Sequence, residues 1–300
     1  MGKAGTVALV GRPNAGKSTL MNRLLGEKLA IVSDKPQTTR HRIVGILSGA
    51  RGQMVFFDTP GVHRPLHHLN RQMMHHAADA LADADLVCLL IDAIEPFGKG
   101  DAYMLERVKK VKNPKLLLIN KIDRIKKSQL LPRIAKYAEG GVFSEVIPIS
   151  ARTGDGCDVL LEALWGALPE GEPLYDPELL TIHPERFLVA ERIREKVLEQ
   201  TRDELPFSTA VLLERWEEEP GGNLVKLYAA LLVEKPGQKS ILIGKAGARI
   251  KEIGTAARHD LEEFLGKKVY LDLQVKLEPG WREDRGLLAQ LESDVDLGIE

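Results

Sequence analysis

Cysteine is almost absent from this 300-residue chain. Cys88 and Cys157 cannot build a disulfide framework, and they fit packing positions in a reducing compartment. A dominant charge is missing too. The 42 Lys and Arg against 43 Asp and Glu leave a net charge of −1, so any surface for nucleic acid has to be local. Long apolar runs are lacking as well. Leu86–Ile91 is bracketed by Asp85 and Asp92, far short of the roughly 20 residues that cross a bilayer. No leader of the secretory type precedes the first apolar stretch. These absences lead to the expectation of a soluble cytoplasmic protein, and no repeat or low-complexity stretch disturbs it.

What is present is ordinary globular material: 44% hydrophobic and 28% charged residues, at a length that suits two domains. In the first half, apolar runs at Thr6–Val10, Ile43–Leu47, Met54–Phe57, Leu86–Ile91, Leu116–Ile119 and Val146–Ile149 read as strands. Between them, helical patterns cover Lys17–Leu25, Leu69–Leu81, Tyr103–Val111, Gln129–Tyr137 and Val159–Leu168. Such alternation predicts an α/β unit with a mainly parallel sheet. Pro169, Gly171, Pro173 and Pro177 mark a linker. Beyond it comes an α-β-β-α-α-β order: Glu185–Gln200, Thr209–Glu214, Val225–Val233, two helical segments around Gly244–Gly247, and Val269–Val275. The expected division is 1–168, a linker over 169–182, and 183–300 with a C-terminal tail.

Four motifs fall just after strand ends, where sheets of this kind bind ligands. Gly11-Arg12-Pro13-Asn14-Ala15-Gly16-Lys17-Ser18 follows a strand and opens a helix, with Thr19 next. Its glycines let the backbone wrap a phosphate, Lys17 reaches the β- and γ-phosphates, and the Ser18 hydroxyl ligates Mg²⁺. Asp58-Thr59-Pro60-Gly61 supplies a carboxylate that holds Mg²⁺ through water and an N–H at Gly61 that meets the γ-phosphate. Asn120-Lys121-Ile122-Asp123 reads the base. The Asp123 carboxylate accepts from guanine N1–H and the 2-amino group, which adenine cannot match. Asn120 braces that loop, the Lys121 stem covers the base face, and Ser150-Ala151-Arg152 places the Ala151 N–H near guanine O6. This argues against an ATPase or a small-molecule kinase. Gln37-Thr38-Thr39-Arg40 offers a threonine to complete the Mg²⁺ shell, with Thr39 favoured over Thr38. GTP or GDP and Mg²⁺ are the expected ligands. Lys17, Asn14, Gly61 and Thr39 are the residues expected to act on the reaction.

A glutamine that orients the attacking water in many GTPases is absent after Gly61, where Val62 and His63 stand. Slow intrinsic hydrolysis is expected. Together with Asn14 in the phosphate loop, this gap raises K⁺ beside the phosphates as a substitute for a cationic finger. His63 and His67 have a metal-site reading, but no partner completes it, and a polar switch segment running from Gly61 to His68 is the better one.

In the second half, Gly244-Lys245-Ala246-Gly247 forms a GXXG loop. From Lys235 to Lys251 the chain carries Lys235, Lys239, Lys245, Arg249 and Lys251 and no acidic residue. Small residues let a nucleic-acid backbone press close, and the neighbouring apolar residues, Ile241, Leu242 and Ile243 before the loop and Ile250 and Ile253 after it, floor a groove for unstacked bases. Lys239, Gly244–Gly247, Arg249, Ile250 and Lys251 are the expected RNA contacts. Phe207 and Trp216 are expected in the core, Trp281 is expected exposed near the groove, and Glu217-Glu218-Glu219 is expected as a solvated turn.

With both halves read, the chain resembles the Era family of bacterial GTPases. The residues that carry this are GRPNAGKS at 11–18, QTTRHRI at 37–43, DTPG at 58–61, NKID at 120–123, SAR at 150–152 and GKAG at 244–247. The resemblance implies a Ras-like GTPase domain followed by an α+β KH domain of type II. It implies GTP hydrolysis tied to small ribosomal subunit assembly, with binding near the 3′ end of the small-subunit ribosomal RNA. It also implies peripheral association with the inner face of the membrane, and a monomer is expected. The alternative is a KH module whose other domain senses GTP and barely hydrolyses it.

Overall fold

The computed structural model describes residues 2–61, 68–96, 98–138 and 141–293. Val62, His63, His67, most of the expected switch segment and the tail past residue 293 lie outside these residues. The chain divides after residue 182 into two compact units.

In the first unit, β1 (Lys3–Gly11) runs into α1 (Lys17–Leu25). Then come β2 (Ile43–Gly49), β3 (Gly52–Asp58), α2 (His68–Asp83), β4 (Leu86–Asp92), α3 (Lys99–Lys110), β5 (Lys115–Asn120), α4 (Lys127–Ala138), β6 (Glu145–Pro148) and α5 (Cys157–Ala167). The sheet order is β2-β3-β1-β4-β5-β6. Only β2 is antiparallel to its neighbour. Strands buried on both faces need continuous apolar runs, and Val7–Val10, Leu86–Leu90 and Leu116–Ile119 supply them at 2% exposure or less. On one face Met104 and Val108 of α3 pack on Ala8, Leu89 and Leu117. Both cysteines are buried, and burial pushes their thiols up, so they act as small apolar side chains.

The central strands end at the motifs. Gly11 closes β1, Asp58 closes β3, Asp92 closes β4 and Asn120 closes β5. In parallel strands this brings all four to one edge of the sheet. Residues 169–182, read from composition as a linker, are hydrogen-bonded along the first unit. Ala4 N–H donates to Pro169 O at 3.1 Å, and Gln53 Oε1 accepts from Leu174 N–H and Tyr175 N–H at 2.7 and 2.9 Å. Ile46 N–H donates to Leu180 O at 2.8 Å and Thr181 Oγ1 to Val44 O at 2.6 Å.

The second unit holds α6 (Glu185–Gln200), the short α7 (Leu205–Ser208), β7 (Ala210–Glu218), β8 (Leu224–Val233), α8 (Pro236–Ile243), α9 (Ala248–Leu265), β9 (Lys268–Leu277) and α10 (Arg285–Ser293). Its sheet runs β7-β8-β9, antiparallel then parallel. Ile253, Ala257 and Leu261 recur at helical spacing on α9 and meet Leu227 and Leu231 of β8 and Val189 and Val197 of α6.

Three expectations change here. Trp281 is 1% exposed and its Nε1 donates to Ser208 O at 3.0 Å, so it is core and not a groove aromatic; a buried indole finds a carbonyl. Glu217 and Glu218 extend β7, with Lys267 on Glu218 and Lys226 on Glu219, so this run is a strand end. Phe207 is only half-buried, while Trp216, also half-buried, packs against the core as expected. Among the described residues no helix is long and apolar enough to cross a membrane.

Candidate nucleotide site and nucleic-acid groove

The phosphate loop is held by close backbone approach. Gly16 sits at φ 96°, and a Cβ there would come within 2.2 Å of Asn120 Nδ2, so only glycine fits. Gly61 packs on the loop from the other side, where a Cβ would lie 2.6 Å from Pro13 Cα. Lys17 is 5% exposed, and its Nζ donates to Arg12 O at 3.1 Å. Burial pushes this ammonium down, against the raising pull of the Asp58 charge.

Three oxygens from separate segments converge beside it. Ser18 Oγ donates to Asp58 Oδ2 at 2.5 Å, Thr39 Oγ1 donates to the same oxygen at 3.2 Å, and the two hydroxyls are 3.0 Å apart. Asp58 Oδ1 is buried without a hydrogen-bond partner among the described residues. Burial pushes the Asp58 carboxyl up, while Lys17 and hydrogen bonds from Ser18, Thr39 and the Thr59 backbone pull it down. A buried, underpartnered carboxylate with two hydroxyls suits a hard divalent cation such as Mg²⁺. Thr38 also lines the cavity beside the phosphate loop, but its hydroxyl donates to Lys35 O at 2.6 Å, whereas the Thr39 hydroxyl is the one beside Ser18 and Asp58.

The base-reading loops are knitted through Asn120. Its Nδ2 donates to Ala15 O at 2.8 Å, and its Oδ1 accepts from Lys121 N–H and Ala151 N–H at 2.8 and 2.9 Å. The Ala151 N–H, expected near guanine O6, is therefore engaged by Asn120. Asp123 accepts from Ser150 Oγ at 2.8 Å and from Arg152 Nη2 at 2.6 Å. Desolvation pushes this carboxyl up, but those two bonds and the Arg152 charge outweigh it and hold it below the usual carboxylate range. Arg23 of α1 pins the Ser150–Arg152 loop by donating to Ala151 O and Arg152 O at 3.3 and 2.5 Å.

Two cavities adjoin here. One, of about 420 Å³, is lined by Pro13, Asn14, Gly16–Thr19, Thr39 and Gly61. The other, of about 290 Å³, is lined by Asn120, Lys121, Asp123, Ala151 and Arg152. Gly16, Thr19 and Lys121 border both. The two cavities thus share a border. Not every motif side chain faces them. Arg12 turns to Asp101, and the Thr59 hydroxyl donates to Leu9 O at 2.9 Å. Gly11, Ala15 and Pro60 line neither cavity, while Ser150 acts from behind Asp123. Asn14, at φ 61°, donates from Nδ2 to Asp34 O at 2.6 Å and ties the phosphate loop to the segment carrying Thr39.

In the second unit the GXXG loop breaks the helix between α8 and α9. Gly244, Ala246 and Gly247 take φ of 74°, 50° and 77°. A groove of about 310 Å³ between α9 and β9 is floored by Ile250, Leu271 and Leu273 and rimmed by Lys251, Thr255 and Arg258. Helical spacing from Ile250 through Gly254 to Arg258 carries that signal, and Arg258, Leu271 and Leu273 are groove residues beyond the expected contacts. Of the expected contacts Ile250 and Lys251 line the groove, while Lys239, Gly244–Gly247 and Arg249 do not. Arg249 turns back, and its Nη1 donates to Ile241 O at 3.2 Å.

Fold and site together define a GTP-binding switch domain joined to a KH-type nucleic-acid module. A family described as 50S ribosome-binding GTPases matches residues 6–121, and the KH domain family matches residues 204–282. GTPase Era of Geobacter metallireducens is 46% identical over 289 residues, spanning 96% of this chain and 97% of its own. GTPase Era of Staphylococcus haemolyticus is 43% identical over 289 residues, spanning 96% of both. A crystal structure of Era with MgGDPNP and nucleotides 1506–1542 of 16S ribosomal RNA matches with TM-score 0.94 and 38% identity over 97% of this chain and 99% of that one. A variant of Aquifex aeolicus Era bound to GDP and AlF4⁻ matches with TM-score 0.93, also at 38% identity, over 96% and 98%. The chain belongs to the Era family of GTPases.

Proposed function

We propose that this protein hydrolyses GTP as a switch that binds small-subunit ribosomal RNA near its 3′ end during small ribosomal subunit assembly, in the cytoplasm. One observation carries the RNA half: the Era that matches over nearly the full length of both chains holds MgGDPNP and the 1506–1542 segment of 16S ribosomal RNA together. Ser18 and Thr39 would ligate Mg²⁺ directly, with Asp58 acting through water. Bound there, Mg²⁺ would supply neutralisation of the charge on the β- and γ-phosphates. Lys17 would neutralise the same oxygens, Gly61 would sense the γ-phosphate, and Asp123 would select guanine. The functional units are then residues 1–182 and 183–300. Hydrolysis of GTP, measured with and without an oligonucleotide of the 16S 3′ end, tests the reading. No GTP turnover in either condition would reduce the protein to a GTP-sensing RNA binder.

The GXXG loop is expected to clamp the RNA backbone. Gly247 takes a left-handed φ of 77° with open space where a Cβ would stand, a conformation that Asp tolerates better than most residues. Gly247→Asp should therefore fold, place a negative charge against phosphate, and abolish most RNA affinity while GTP hydrolysis by the free protein stays. Gly244 would be a poorer choice, since a Cβ there meets Arg249 Cβ at 2.8 Å. Lys245→Ala should lower the slope of log affinity against log salt by about one phosphate contact. Filter binding across a salt series reads both, and normal affinity in Gly247→Asp contradicts the clamp.

Nucleotide and RNA are expected to be coupled. Leu180 and Thr181 are bonded to β2, which begins four residues after Thr39, so a shift of that segment has a covalent route toward α6. If GTP favours the RNA-binding state, RNA must tighten GTP binding by the same factor, typically about 5- to 150-fold. Affinity for a GTP analogue with and without saturating RNA is the measurement. Equal values would leave two unlinked modules.

A further inference from the structure

Two ion pairs reach the nucleotide site from outside its motifs. The first joins Arg12 and Asp101, far apart in the chain. Arg12 Nη1 lies 2.9 Å from Asp101 Oδ2, and the Asp101 side chain is 8% exposed. The same oxygen accepts from Gly98 N–H at 2.9 Å, which locks the carboxylate to the N-terminus of α3. At its other end Arg12 offers the carbonyl that holds Lys17 Nζ at 3.1 Å. A buried carboxylate thus fixes an arginine whose own backbone fixes the phosphate-binding lysine.

The second pair joins Asp92 and Lys121. Asp92 closes β4 and faces Asn120 in the parallel register. Its Oδ1 accepts from Ile94 N–H at 2.8 Å, and its Oδ2 accepts from Lys121 Nζ at 2.6 Å. The side chains are 15% and 25% exposed. Lys121 stands at φ 68°, where a lysine is uncommon, and it borders both cavities. An anchored ammonium makes its stem a fixed wall of the base compartment.

We propose that Asp92 and Asp101 are positioning residues of the nucleotide site, Asp101 acting through Arg12 on the phosphate half and Asp92 acting through Lys121 on the base half. This rests on the reading of the site as a GTP site. Removing one partner of a buried or part-buried pair can cost stability by itself, whereas a small displacement of a binding group is expensive in function, so the two effects are read separately below. The two carboxylates flank the β4–α3 connection, and each meets a different motif, so their effects on ligands should separate.

Asp101→Asn and Asp92→Asn keep an acceptor for the Gly98 and Ile94 N–H groups and remove the charge. The readouts are release of a fluorescent GDP analogue and displacement of that analogue by inorganic tripolyphosphate with Mg²⁺. Melting of the nucleotide-free protein is followed alongside. Asp92→Asn should speed GDP release about tenfold and leave tripolyphosphate affinity unchanged, because that ligand has no base. Asp101→Asn should weaken both ligands. Arg12→Gln combined with Asp101→Asn should be no worse than either alone, and Lys121→Met with Asp92→Asn likewise, since each pair acts as a unit. Should an Asn variant melt well below wild type, Arg12→Gln and Lys121→Met decide from the other side of each pair. Unchanged GDP release, additive losses within a pair, or equal loss of both ligands in both variants overturns the proposal. A wild type that fails to bind GDP overturns the GTP reading itself, and this proposal with it.

Discussion

Asp123→Asn is expected to lose GTP affinity by about 10⁴-fold and to gain affinity for XTP. The carboxylate sits in the smaller cavity with its two oxygens oriented by Ser150 Oγ and Arg152 Nη2. Guanine presents N1–H and a 2-amino group, and an ionised carboxylate accepts from both. An amide keeps one acceptor and turns the other position into a donor, which meets the 2-amino group donor to donor. Leaving such a pair unmatched in a closed site is what makes polar discrimination strong. Xanthine carries an oxo group at that position and accepts from the amide. The hydrogen bonds and the Arg152 charge hold Asp123 below the usual carboxylate range. Its selecting form is therefore full at neutral pH and declines only as pH falls through that lowered value. Displacement of a fluorescent GDP analogue by GTP and by XTP measures the exchange. Unchanged GTP affinity would remove Asp123 from the role of base reader.

Much of this site was legible because phosphate and base recognition demand particular residues at strand ends. The motif glycines, Lys17, Ser18, Asp58, Asn120 and Asp123 follow apolar runs whose lengths locate the sheet edge. The helix over Lys17–Leu25 was readable to its ends, since Gly16 and Gly26 bound it with φ of 96° and 76°. What stayed hidden depends on tertiary approach. Nothing local tells Thr38 from Thr39; only the fold places the Thr39 hydroxyl 3.0 Å from Ser18 Oγ and 3.2 Å from Asp58 Oδ2. Arg12 looks like a phosphate ligand in a basic loop until Asp101 is seen 2.9 Å away. Trp281 follows Pro279-Gly280, a turn that suggests exposure, but its burial depends on a carbonyl at Ser208 far back in the chain. Residues 169–182 carry the composition of a linker, which does not reveal that they run bonded along the first unit: the buried Gln53 amide, 1% exposed, takes the Leu174 and Tyr175 backbone as partners.

Lys17→Met is expected to weaken GTP binding by about 30- to 1000-fold, the loss of about 2–4 kcal/mol for removing a buried charged partner of phosphate. Methionine keeps most of the apolar stem, so the change isolates the charge. The structure adds a second consequence that a simple contact loss lacks. Lys17 is a positive neighbour that draws the Asp58 carboxyl down, while burial already pushes that carboxyl up. Without Lys17 the proton on Asp58 becomes harder to remove. Protons then compete with Mg²⁺ for the Asp58 carboxylate, and the competition eases as pH rises. The variant's remaining GTP affinity at fixed Mg²⁺ should therefore improve with rising pH and with added Mg²⁺, more steeply than in wild type. A merely misfolded loop would show neither trend. Calorimetric titration at several pH values and Mg²⁺ concentrations separates the two, and a variant with wild-type affinity would show that Lys17 does not reach the phosphates at all.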